Sequence, residues 1–547
     1  MAEGTTRFDY DVIVVGFGMA GVCASIAAAE SGARVLVVDR ALGGGASALS
    51  GGVVYAGGGT SYQKAAGYDE TPDNMFNYLR LEVNGVIDDE TLKRFCDTSV
   101  DRLAWLERHG ARFAGPLCDY KTSYPTDRHY LYFSGSEKAH PFCLHAKPAP
   151  RGHRQVAKGM SSGRVLWTSL RDSALRLGVT FMPRTRVDEL VMVDGVVRGI
   201  RCRTWIDDGS PAIERHRRAA DAGAKLTNWV PPLGHRLNRI ADRLWQRSAE
   251  ERTFSSPNVI LSAGGFIFNR DMVRRYAPDH ELVNPLGTEG DDGKGIELGV
   301  SAGGATDHLE RVTAWRFLSP PAAMLEGITV GVNGERIGNE DIYNAALAEI
   351  MIRQFGGKGF LIVDSAIWKR AKAQLSTQTL AFQKAQTAAV FTTGHRVAPT
   401  LPKLAEKLGV SVTGLLKTVE AYNQAIATGA EDPAHKAADL CTPIKQGPFY
   451  GVDISVRRAL TDFVPGLTLG GLKVDGDSGL VLSETGSTIP GLYAAGRTAV
   501  GICSNSYVSG LALADCAFSG KRAGEHAAAT CGEASSVKPD STGSARI

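Results

Sequence analysis

In DYDVIVVGFGMAGVCASIAAAESGARVLVVDR, residues 9–40, two four-residue apolar runs flank a glycine-broken stretch of small apolar residues. Short apolar runs bounded by turn residues predict buried strands, and the stretch between them predicts a tight turn followed by a helix. VILSAGGFIFN (259–269) and PGLYAAGRTAVG (490–501) again carry an apolar strand into small residues. Strand ends so alike and so far apart predict a Rossmann-like α/β domain that an inserted domain splits. GITVGVNGERIGNEDIYN, the strand-like GFLIVD and the helical LPKLAEKLGVSVTGLLKTVEAYNQAIA predict that insertion as an α+β domain over residues 306–446. The split domain then comprises residues 8–305 and 447–531.

Residues 206–254 interrupt a short meander between VVRGIRCRTW and NVILSAGG. Their second half alternates basic residues with Leu237, Ile240, Leu244 and Trp245. That spacing predicts an amphipathic helix packed on its own protein, with weak association to a membrane surface or a partner as the alternative. A short turn can bridge the flanking strands, so the insert is expected to be dispensable for cofactor binding. GEASSVKPDSTGSARI, residues 532–547, has the composition of a disordered tail.

The chain has 547 residues, 43% of them hydrophobic. It exceeds the roughly 250–300 residues at which single cores stop growing, which agrees with two cores. A net charge of +3 argues against a dedicated nucleic-acid binder. The 63 glycines gather at strand ends such as GFGMAG, GGGAS, SAGGF and AAGR, as backbone brought close to a large ligand would require. Nine cysteines form no CxxC pair, so reduced buried thiols and a cytoplasmic setting are expected. The N-terminus lacks the basic-then-apolar pattern of a secretory signal, and no apolar run approaches the roughly 18 residues of a spanning helix. His129, His140, His145 and His153 match no zinc spacing, and the segment 120–153, with Tyr124, Tyr130 and Tyr132, reads as a loop over a substrate mouth.

Gly16, Gly18 and Gly21 stand at the positions of GxGxxG, and Asp39 ends the second predicted strand. Gly16 permits the turn, Gly18 lets backbone approach a pyrophosphate, Gly21 lets the helix pack closely, and the acid reaches a ribose hydroxyl. Strand, turn, helix and acid together predict a dinucleotide site.

GGGASALSGG, SAGGFIFN, LTLGGLKV and GLYAAGR, occurring in that order, make the chain resemble the flavoprotein family of fumarate reductases, succinate dehydrogenases and 3-ketosteroid dehydrogenases. The resemblance spans residues 8–530 apart from the insert. It implies FAD at the interface of the two domains, with 306–446 capping the substrate. The contacts it implies are Gly16, Gly18, Met19, Ala20, Gly21, Asp39, Arg40, Gly45, Ala46, Ser47, Ser50, Gly51, Gly52, Ala263, Gly264, Asp292, Gly496, Arg497, Gly510, Ala512 and Leu513. Covalently flavinylated members carry a histidine after the second strand. Gly43–Gly59 contains none, so non-covalent FAD is expected.

Where fumarate reductases of this family bind carboxylates with a histidine and an arginine, this chain has Leu467 in LTLGG and Tyr507 in SYVSG. An unpaired buried carboxylate is costly, so an uncharged apolar substrate is expected. YFSGSEKAHPF, KPAPRGH, GERIGNEDIY and GICSNSYVSGLALADCAFSGKRAG resemble the branch of 3-ketosteroid dehydrogenases that desaturate C4–C5 of a 3-oxo-5α-steroid. That branch implies catalytic Tyr343, Tyr507 and Ser509. They would relay the proton taken from the carbon next to the ketone, while amides near Gly510 polarise the C3 oxygen. Ordinary packing and a helix-capping serine are the plainer reading of Tyr507 and Ser509. Desaturation at C1–C2 is an alternative activity, and a flavin-binding electron-transfer or assembly protein is an alternative of another class. The expected partners are a steroid and an electron acceptor that no motif in the chain identifies.

Overall fold

Val12–Val15 (β1) and Val35–Val38 (β2) are buried at every position, which is why their sequences are apolar throughout instead of alternating. The computed structural model describes residues 8–207, 209–227, 230–457 and 464–534. In it β1 and β2 pair in parallel, Val12 opposite Val35. Thr180–Met182 (β3) extends the sheet beyond β2, and Asn258–Leu261 (β4) flanks β1 on its other side. Leu480–Leu482 (β5) and Thr488–Ala494 (β6) complete a six-stranded sheet of order β5-β6-β4-β1-β2-β3. Only β5 runs antiparallel to its neighbour. The helix Met19–Glu30 (α1) crosses from β1 to β2. The two distant strand ends legible in the sequence therefore lie side by side, Val259 opposite Leu492.

Thr185–Val193, Val196–Thr204 and Glu250–Ser255 form an antiparallel meander. Two helices, Pro211–Thr227 (α2) and Pro231–Ser248 (α3), are spliced into its second connection. The insert expected to end at 254 ends earlier, because Glu250 pairs with Thr204 and Thr253 with Arg201. Residues 250–254 are thus a strand of the parent sheet. The hairpin packs on its own protein: Trp245 is buried, its Nε1 donates to the Arg184 carbonyl at 2.6 Å, and the Arg186 guanidinium lies 3.8 Å over its ring. Trp205 and Ile213 complete this small core. Among the described residues no helix is long and apolar enough to cross a membrane.

The last helix, Leu511–Ala534 (α4), lies along α1. A Cβ on Gly520 would sit 2.3 Å from the Ala20 carbonyl oxygen and one on Gly524 2.2 Å from that of Ala24, so the two backbones touch directly. Residues 532–534 of the expected tail belong to this helix, and 535–547 lie outside the described residues. A second core surrounds an antiparallel sheet of Ile328–Val330, Phe360–Val363, Phe449–Asp453 and His395–Ala398, in that order. The boundary expected at 446 cuts this sheet short, since Leu361 pairs with Val452 and Val456 and Val464 also join the core.

Candidate active site

The carboxyl ends of β1, β2 and β4 open into a cavity of about 1060 Å³. Gly16 turns the chain at φ +101°, where a Cβ would meet the Ser262 carbonyl oxygen at 2.6 Å. Gly18 precedes α1, and the Met19 amide donates to Ser47 Oγ at 3.0 Å. Asp39 accepts from the Phe17 and Ala41 amides at 2.8 and 2.7 Å, holding its carboxylate at the cavity wall. Arg40 is paired with Asp292. Ala20, Gly45, Ala46, Ala263, Gly264 and Arg497 complete the predicted residues that line this space.

The remaining predicted contacts do not line it, each for a local reason. Gly21 meets the Gly16 carbonyl, Gly51 backs onto the Tyr124 ring, Gly52 onto Ser162, and Gly496 onto Ala20 and Cys516. The Ser50 hydroxyl donates to the Ser47 carbonyl. Gly510 lies against Val53–Tyr55 and accepts from the Tyr55 amide, with Ala512 and Leu513 following it in α4. His216, His235, Asn238, Arg239 and Asp242 of the hairpin, the insert expected to be dispensable for cofactor binding, also line the cavity.

The space fits a flavin dinucleotide. Arg497 Nη2 contacts Asp291 at 2.6 Å, while its Nη1 is buried with no partner among the described residues, a donor awaiting an acceptor. A Cβ on Gly18 would meet nothing of the protein closer than Ser47 Oγ at 3.5 Å, so the volume it would fill belongs to the cavity.

A second cluster joins three distant stretches of chain. Tyr343 stands immediately before the helix Asn344–Phe355, its ring 6.3 Å from that of Tyr507. Trp315 meets Tyr507 edge to face at 4.7 Å, and its indole N–H is buried without a partner among the described residues. Val508 is fully buried in the core, with Tyr507 packed against the same core and Ser509 also buried on either side of it. Ser509 Oγ lies 2.7 Å from Tyr132 Oη and also faces the Tyr343 phenol. Burial raises the Tyr507 phenol above its ordinary value, against the pull of the Arg497 charge and the Gly510 amide. Burial likewise holds Tyr132 and Tyr343 well above theirs. All three are protonated at rest. Leu467 shares the apolar core with Tyr343, Trp315 and Tyr507.

The sequence marked the 120–153 segment but not Tyr132 as a member of this cluster. Leu131–Tyr132 and Gly152–Arg154 are strands, and Gly152–Arg154 also pairs with Val53–Tyr55, so the segment is anchored and not simply a loop. His153 is buried against Thr60, half-buried His129 lies 3.4 Å from the Thr126 hydroxyl, and His140 stacks on His435 at 4.2 Å.

Behind Tyr507, Glu82 accepts from Tyr78 Oη at 2.6 Å and from Ser506 Oγ at 3.1 Å. Burial pushes its pKa up from 4.5 to about 7. The folded state therefore retains a proton that the unfolded state has released, and stability falls as pH rises from about 4.5 through 7. Glu82→Gln is expected to remove that slope, so that its thermal midpoint relative to wild type is higher at pH 8 than at pH 5. Parallel melting curves at the two pH values would show that Glu82 does not titrate in this window.

The family model described as an FAD binding domain matches residues 11–510. The chain is 39% identical over 497 residues to the 3-oxo-5-alpha-steroid 4-dehydrogenase of Comamonas testosteroni, covering 89% of this chain and 92% of that protein. The structure of 3-ketosteroid-delta4-(5alpha)-dehydrogenase from Rhodococcus jostii RHA1 in complex with 4-androstene-3,17-dione superposes with a TM-score of 0.80 at 31% identity, covering 96% of this chain and 99% of that one. The 3-ketosteroid delta1-dehydrogenase of Sterolibacterium denitrificans, at 18% identity and a TM-score of 0.66, shares the fold.

Proposed function

The chain belongs to the FAD binding domain family, and from that premise we propose that it is an FAD-dependent 3-ketosteroid dehydrogenase that converts a 3-oxo-5α-steroid to the 3-oxo-Δ4-steroid. The observation that carries the reading is the meeting of Tyr132, Tyr343 and the Tyr507–Ser509 pair in one buried, apolar place. An apolar ring system with a single ketone matches such walls, and the second core caps it.

When bound, FAD accepts the hydride that leaves the carbon β to the ketone. The protein's task is the proton on C4. The Gly510 amide, which faces the Tyr507 phenol, turns to the C3 oxygen when the steroid binds and stabilises the charge that develops there as the proton leaves. Tyr507, a neutral phenol at rest, accepts the C4 proton as it passes its own hydroxyl proton to Tyr343 beside it and on through Ser509, which bridges Tyr343 and Tyr132, to solvent; its raised pKa makes a lasting phenolate unfavourable, so the two transfers go together. Trp315 keeps the Tyr507 ring in place.

The test is the product. Incubation with 5α-androstane-3,17-dione and an artificial acceptor is expected to give the 4-ene-3-one on chromatography. A 1-ene product without the 4-ene would overturn the position of desaturation while leaving the steroid and the flavin in place.

A further inference from the structure

We propose that the helical hairpin α2–α3 is a clasp for the adenosine half of FAD, taking part directly in cofactor binding. The inference rests on FAD as the occupant of the large cavity and adds to it an element outside the Rossmann-like sheet. On α2, His216, Ala220 and Ala224 follow one another at intervals of four and all line the cavity. On α3, His235, Asn238 and Asp242, at intervals of three and four, line it from the facing helix. Two helices thus each present one face, a helical stripe, to the ligand space.

The half of FAD concerned follows from what stands opposite. The hairpin is pinned to the side of the cavity where β2 ends: Asp242 is paired with Arg186 at 2.6 Å, and Arg186, Thr185 and Asp188 share the wall with Asp39 and Arg40. Asp39 is the acid placed to meet a ribose, so the adenosine end lies there. His235 is paired with Glu289, which ties the start of α3 to the loop carrying Asp292. Two polar nitrogens in this wall, His216 Nδ1 and Arg186 Nε, are buried without partners among the described residues, although the rest of each side chain is held in place. Native proteins rarely leave such atoms unsatisfied, and a ligand rich in acceptors supplies what they lack. Small side chains at 220 and 224 leave the room that a planar base needs.

The test compares two flavins that share the isoalloxazine and differ in the adenosine. Hydrogen–deuterium exchange is followed on the full chain without flavin, with FMN and with FAD. FAD is expected to slow exchange in 211–227 and 231–248 by about tenfold or more beyond FMN. Ala224→Trp, which fills the space from the hairpin side, is expected to weaken FAD by at least about tenfold and to leave FMN affinity unchanged. If that variant fails to fold, the exchange experiment on the wild type still decides. Tight FAD uptake with no added protection of the hairpin would overturn the clasp alone. A wild-type chain that takes up neither flavin would overturn it together with the cofactor assignment.

Discussion

Tyr507→Phe is expected to bind FAD and steroid as the wild type does and to reduce its flavin at least about a hundredfold more slowly, the lower range for loss of a general acid or base. The substitution removes one oxygen and keeps the ring. The edge-to-face contact with Trp315 and the packing beside Tyr343 survive, so the loss is one of chemistry. Stopped-flow reduction without oxygen separates the two effects: binding is read from the perturbation of the flavin spectrum, proton and hydride removal from its bleaching. Ser509→Ala should slow bleaching as well, because it breaks the bridge between Tyr132 and Tyr343. A Ser509→Ala protein as fast as wild type would take serine out of the relay, and a fast Tyr507→Phe protein would take away the base itself.

Gly18→Val is expected to give a folded, colourless protein. The cavity wall offers no clash to a Cβ at this position, and the backbone there, at φ −81° and ψ −161°, is open to any residue. What the valine occupies is the approach to the pyrophosphate at the start of α1. Flavin absorbance per mole of chain should fall to background while the apoprotein keeps its cooperative melt. The wild type should release all of its FAD to the supernatant on acid precipitation, since no histidine lies in Gly43–Gly59 to hold it covalently. Yellow Gly18→Val protein would move the pyrophosphate elsewhere.

Much of this was legible in the chain because the relevant signals are local. VIVV and VLVV had to be strands buried on both faces, and GFGMAG had to be the turn between strand and helix. The Tyr-x-Ser pair could be placed because an extended segment sends alternate residues the same way. What escaped depends on contacts that sequence does not carry. Helical periodicity in the insert told that Trp245 would be buried, and it is, but Asn238 and Asp242 on the same side of the helix gave no sign that they would face a cavity. Tyr132 stands 377 residues from the serine it touches. The strands Glu250–Ser255 and Phe449–Asp453 were missed because a strand's membership in a sheet is set by its partner, and both partners lie across a helical insertion or a whole subdomain.

The sheet order has a consequence for how the protein is made. β4 leaves the ribosome with residue 261, yet the strand that covers its far edge, β6, emerges more than two hundred residues later. At roughly 5–20 residues per second, the nascent chain holds an uncovered edge of Val259, Ile260 and Leu261 for some tens of seconds or less. During that interval the second core can fold on its own strands, Ile328 to Asp453, while the Rossmann-like half waits for α4 to close over α1. Chains cut short before residue 488 expose an apolar edge strand of the kind that seeds aggregation.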